Sequence, residues 1–283
     1  MKLGLTLEGG AHRTYFSIGI MDAFLEENII ADYVIGASAG IANATCYVSG
    51  QKGRNLMVAE KYVNDKRYMG FKHLLKPSNK SFYNLKFVFD DIPNKHVPFD
   101  YDAFENSKCE TIAVVTNIKT AKPEYLKVTS EDKTWKTIIA SCSLPLMFRP
   151  VEINGNIYMD GGITNPIPVK KAMEDGCDKN IVIITRERDY VKTKEPGVKL
   201  AAHSYRKYPE FADALLNRMA VYNRNHHELL ELEKEGKVFL FMPDDTTGWG
   251  RTDSKPEKLK MMYDSGYNMA KRRLPELLKY LNK

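Results

Sequence analysis

Short apolar runs alternate with stretches of helical periodicity from one end of the chain to the other, the pattern of βαβ units on a mostly parallel sheet. "KLGLTLEGG" predicts a first strand ending in Gly. Residues 14–28 predict a helix with Phe16, Ile20, Phe24 and Leu25 on its inner face. "ADYVIGASAG" predicts a second strand entering a sharp turn, and residues 38–50 a helix of small residues able to pack closely on the sheet. Strands are expected at 110–118 and 124–129, then a helix at 135–144 stopped before Pro145. The Asn154-Gly155 pair between alternating apolar positions predicts a two-residue hairpin that ends at Asp160.

A helix at 168–175 and a buried strand at 180–185 follow, then a basic stretch, 186–208, that reads as a linker. Beyond it Phe211, Leu215, Met219, Tyr222, Leu229 and Leu232 share one face of a helix closed by Gly236. "KVFLFMP" reads as another strand, and "PEKLKMMYDSGYNMAKRR" and "PELLKYL" as helices. The expected division is a catalytic unit over 1–185 and a helix–strand–helix extension over 186–283 packed on the same domain. Residues 66–104 carry nine aromatics among six lysines, the composition of plain core or of an inserted cap that lines an acyl pocket or touches membrane.

The chain has 283 residues, 43% hydrophobic and 28% charged, enough for a substantial core and far from the composition of disorder. Cys46, Cys109, Cys142 and Cys177 lack CxxC spacing and paired histidines, so no metal, cofactor or disulfide framework is expected. The net charge of +6 suits an ordinary basic surface or an anionic membrane, and nucleic acid is not expected. "MKLGLTLEGG" has neither the apolar core nor the cleavage site of a signal peptide, and no apolar run approaches the roughly 20 residues of a membrane span. The expectation is a cytoplasmic protein, with peripheral contact at the inner membrane surface.

The chemistry begins at "VIGASAGI". A Ser flanked by Gly36 and Gly40, between a strand and a helix, is a nucleophile elbow, whose glycines let the chain turn sharply and present the Ser38 hydroxyl. An attacked acyl ester also needs donors for its oxyanion. The Ala39 amide is one candidate, and "EGGAHR" offers Gly9, Gly10 and Ala11, with Arg13 adding positive charge at the same sheet edge. A plain strand-to-helix turn and a nucleotide phosphate cradle are the rival readings of that loop; neither GxGxxG nor GxxxxGK[ST] is spelled out. In "YMDGG", Asp160 at a strand end, followed by Gly161 and Gly162, is either a turn or a carboxylate base.

Together, in this order, the three motifs resemble the patatin-like phospholipase family, and so does "ASCSLPLMFRPVEINGNIYMDGGITNPIPVKKAMEDGCDKNIVIIT"; the resemblance covers about residues 3–185. It implies a three-layer α/β/α sandwich, a Ser38–Asp160 dyad without a metal, and phospholipid or other fatty-acyl esters as substrates. Family loops commonly read Gly-Gly-Gly-x-Arg-Gly, whereas Ala11 and Thr14 stand in the third and last Gly positions. Alanine resists positive φ, which leaves open a catalytically weak protein that binds lipid or membrane. Among the histidines, His12 lies in the oxyanion loop, His203 in the basic stretch, and His226 and His227 on a polar helical stretch expected to face solvent.

Overall fold

The apolar runs pair into one sheet in the computed structural model, which describes residues 1–282. Among these residues its strands are β1 (Leu3–Leu7), β2 (Tyr33–Ala37), β3 (Glu110–Asn117), β4 (Pro123–Lys127), β5 (Val151–Ile153), β6 (Asn156–Asp160), β7 (Lys179–Ile183) and β8 (Val238–Phe241). The order is β5-β6-β3-β2-β1-β7-β8, with β4 also on β3. The β3-β2-β1-β7-β8 run is parallel, while β4, β5 and β6 pair antiparallel.

Helices cover both faces, because the central strands are apolar on both sides. On one face, Leu5, Ile181, Ile183 and Phe241 share a core with Phe16, Phe24 and Met262. On the other, Val182, Ile184 and Leu240 pack with Val169 and Leu229. The helix expected at 14–28 spans Tyr15–Glu26 behind a 3-10 turn, Ala11–Thr14. It is buried nearly all round, Leu25 being half-buried, since the Pro256–Arg272 helix closes over its outer side. Gly19 and Gly266 allow that crossing: a Cβ on either would lie 2.0 Å from the other helix's backbone.

The C-terminal part is not set off by a linker. Residues 186–208 hold the helix Val198–Ser204 and bury Lys192, and β8 extends the sheet beside β7. The 26-residue helix Pro209–Lys234 buries Phe211, Leu215, Tyr222, His226 and Leu229. His226 therefore corrects the expectation of a solvated face: its ring stacks on Tyr222 at 6.1 Å, and burial lowers its proton affinity. His227 is exposed. Among the described residues no helix is long and apolar enough to cross a membrane.

Candidate functional site

The registers on β3 bring Ser38 and Asp160 together. Tyr33–Ala37 pairs with Glu110–Val114, and Tyr158–Asp160 pairs with Asn117–Val115. Because β4 overlaps both registers, at Ile112–Thr116, it must occupy the opposite edge of β3, leaving β2 and β6 end to end on one edge. They run toward each other, so Ala37 opposite Val114 and Asp160 opposite Val115 are the last residues of their strands. Ser141 spans the junction: its hydroxyl donates to the Val114 carbonyl at 2.7 Å and accepts the Ser38 N–H at 2.9 Å.

At the end of β2 the chain turns at Ser38 with φ 55° and ψ −135°, a conformation that L residues avoid and that costs about 1–3 kcal/mol. The helix Ala39–Val48 starts immediately after it, so the Ala39 amide is among its free N–H groups. Gly9 lies directly against the turn; a Cβ there would come 2.9 Å from both the Ala37 carbonyl and the Ser38 Cβ. Gly36 and Gly40 are pressed similarly against the end of β1. Gly161 crosses β3 so closely that a Cβ would meet the Val114 carbonyl at 2.1 Å, which holds Asp160 at the junction.

Asp160 is buried, 2% exposed. Its Oδ1 accepts the Gly162 N–H at 2.8 Å, while Oδ2 has no full hydrogen bond among the described residues. Burial raises its proton affinity, and Arg218, then the Ser38 hydroxyl as a weak donor, pull it back. A raised carboxylate with one free oxygen beside a hydroxyl is the arrangement a general base needs.

The amides of Gly10 and Ala11 make no hydrogen bond within the protein among the described residues. Ala11 has φ 49°, a strained conformation for alanine. Thr14 is accommodated differently, through its hydroxyl, which donates to the Ala11 carbonyl at 2.6 Å and accepts from Asn43 at 2.7 Å. It thereby ties the loop to the helix after Ser38. His12 does not reach toward Asp160: its Nδ1–H donates to the Asp253 carbonyl at 2.5 Å, and its Nε2 accepts the Tyr83 hydroxyl at 3.1 Å. Burial lowers the proton affinity of that ring, and with both nitrogens engaged it is a clamp rather than a base.

Two cavities meet at Ser38. One, of about 400 Å³, is walled by Tyr68, Phe82, Phe89, Ile92, Phe148 and other apolar side chains, so the aromatic 66–104 segment does line a chamber. The other, of about 70 Å³, is a polar cleft between Gly9–Ala11, Ser38 and Asp160, with Arg13, Arg186, Lys192, Arg218 and Arg251 around it. Of these cations only Arg13 was singled out in the sequence. The others lie on separate segments with no motif of their own. Among the described residues no group of three His, Cys, Asp or Glu side chains can hold a metal ion.

The family model for patatin-like phospholipases matches residues 5–173. A second, for a domain of unknown function, matches 208–282. An uncharacterised protein YjjU of Escherichia coli is 27% identical over 191 residues, 65% of this chain and 52% of its own length. Lysophospholipase NTE1 of Cryptococcus neoformans is 25% identical over 201 residues, 67% of this chain and 12% of that protein. The chain thus spans about half of the first relative and a small part of the second. The crystal structure of VipD from Legionella pneumophila superposes with a TM-score of 0.49 at 15% identity, covering 97% of this chain and 66% of that one.

Proposed function

Because the chain belongs to the patatin-like phospholipase family, we propose that it is a serine acyl hydrolase of phospholipase A or lysophospholipase type. Ser38 is the nucleophile and Asp160 its base. The observation that carries this reading is the meeting of β2 and β6 on one edge of β3, which brings a strained serine at the mouth of an apolar chamber together with a buried, half-free carboxylate in the adjoining cleft.

The reaction follows from these positions. The acyl chain enters the chamber, which is within the size range of ligand pockets. Ser38 Oγ attacks the ester carbonyl as its proton passes to Asp160 Oδ2. The oxyanion is received by the free amides of Gly10, Ala11 and Ala39, the last aided by the helix it opens. Collapse returns the proton from Asp160 to the leaving alkoxide and leaves an acyl-Ser38 ester. A water, deprotonated by Asp160, then releases the fatty acid and restores the serine. Burial tunes Asp160 for this by raising its proton affinity toward the working pH.

Outside the chamber, Phe71 and Leu75 are 73% and 84% exposed among the exposed Lys72, Lys76 and Lys80, a surface suited to peripheral contact with anionic membrane. The strained Ala11 favours a second reading, a lipid binder of weak activity. Fatty-acid release from lysophospholipid, compared between wild type and Ser38→Ala, separates the two. Hydrolysis lost in the variant supports the hydrolase, and lipid binding without hydrolysis by wild type supports the binder.

A further inference from the structure

The polar cleft beside Ser38 carries more positive charge than the reaction needs. Five cations line it against two carboxylates, Glu8 and Asp160. Glu8 is engaged by Thr185, whose N–H and hydroxyl both donate to it. Behind the cleft, Glu195 is shared by three of the cations: Arg218 at 3.0 Å, Arg251 at 3.6 Å, and Lys192. Arg186 donates to Thr246, which in turn donates to Glu187. Arg13, only 4% exposed, has no ion pair or side-chain hydrogen bond among the described residues, and its Nε is orphaned.

A buried guanidinium without a partner is costly unless something anionic completes it. Burial and the neighbouring Arg186 press Arg13 down to about 10, and burial with Arg218 presses Lys192 down to about 8. Both shifts are led by burial, and a carboxylate offsets each only in part, Glu8 for Arg13 and Glu195 for Lys192. The cleft, of about 70 Å³, has room for about two waters at liquid density, which suits a compact anion. It opens on the serine that the apolar chamber also reaches.

Resting on the hydrolase reading, we infer that this cleft is a head-group subsite for a phosphate monoester, and that the chain selects acyl esters with a doubly anionic head over zwitterionic ones. A phosphate monoester brings about −1.5 to −2 charges at neutral pH, whereas the ammonium of a phosphocholine head is repelled by the same cations. Most of the subsite lies outside the family match at 5–173: Arg186 and Lys192 follow it, and Arg218 and Arg251 belong to the region matched only to a domain of unknown function. That region also straps the oxyanion loop, since the His12 N–H donates to the Arg251 carbonyl at 3.2 Å. Its role is thus to form the charged wall of the site.

The test is calorimetric binding of non-hydrolysable amphiphiles of one chain length, below their aggregation thresholds: an alkyl phosphate, an alkyl phosphocholine, and inorganic phosphate alone. Wild type is expected to bind the alkyl phosphate at least about tenfold more tightly than the phosphocholine, the scale of one charge-assisted contact. Arg251→Gln and Arg186→Gln should each erase most of that ratio, and Arg251→Lys should keep most of it; Arg251 is exposed enough that its variants should fold. Equal binding of the two amphiphiles, or a ratio indifferent to both Gln variants, overturns the inference. Inorganic phosphate binding as tightly as the alkyl phosphate would mark a free-anion site and overturn the lipid assignment. Acyl-ester turnover is read separately: preference without turnover sinks the hydrolase reading, and turnover without preference sinks this one.

Discussion

The two cavities that meet at Ser38 are built in opposite ways. The chamber is walled by aromatic and aliphatic side chains drawn largely from one insertion, residues 66–104, together with 135–148. The cleft is walled by charges from five separated segments, with a buried arginine left unpaired. An apolar wall holds a ligand by area, which tolerates many arrangements. A charged wall holds it by geometry and charge balance, where a single group can decide the outcome. Chain-length preference and head-group preference should therefore be separable, and the serine between them should be indispensable to both.

The largest effects belong to the proposed dyad. Ser38→Ala should remove at least about 10³-fold of turnover on every ester, whichever cavity the ester fills, as nucleophile loss does in serine hydrolases generally. Asp160→Asn should cost about as much in steady-state fatty-acid release while gaining stability. The buried carboxylate has a raised proton affinity, so the folded state holds a proton that the unfolded state has already lost. Stability contributed by this group therefore falls as pH rises from the ordinary carboxylate range through the raised one, and the ionised form is a standing cost above it. The Asn variant should melt higher at neutral pH, with the gain shrinking toward acid. A melting curve unchanged at every pH would contradict the burial argument.

Next comes the chamber. Val58→Trp should fill part of it and lower kcat/KM for long acyl chains by about tenfold or more while sparing short ones, a split read from a chain-length series. A uniform loss across the series would dissociate the chamber from the acyl chain. A smaller effect links the cleft to the chemistry. Because the positive charge of Arg218 lowers the proton affinity of Asp160, Arg218→Gln should move the acid limb of kcat/KM to higher pH. An acid limb that stays in place would uncouple the two groups. The smallest concerns Ala11: Ala11→Gly relieves a positive φ and should stabilise by up to about 1 kcal/mol in denaturant unfolding. A rise in kcat with it would mean that the alanine holds the oxyanion poorly.

The same contrast explains what the sequence made legible. Strand and helix order, the Asn154-Gly155 hairpin and the elbow at Ser38 are local patterns, and the family resemblance added Asp160 as the partner of that serine. The meeting of β2 and β6 on β3 depends on register, which no local pattern specifies. His226 escapes the local pattern because "RNHHELLELEKEG" looks polar along its length, while the helix turns that histidine onto Tyr222. The stretch 186–208 looked like a linker because its charges are dense, and those charges prove to face inward at Lys192 and Glu195. Single cations on distant segments carry no spacing to read until the fold assembles them.

The central claim, that Ser38 is a nucleophile held between an acyl chamber and a base, is met most directly by labelling the protein with a fluorophosphonate and mapping the adduct. The account predicts one adduct, on Ser38, that is absent in Ser38→Ala and forms far more slowly in Asp160→Asn. No adduct on the folded wild type, or an adduct elsewhere with ester turnover surviving in Ser38→Ala, would contradict it.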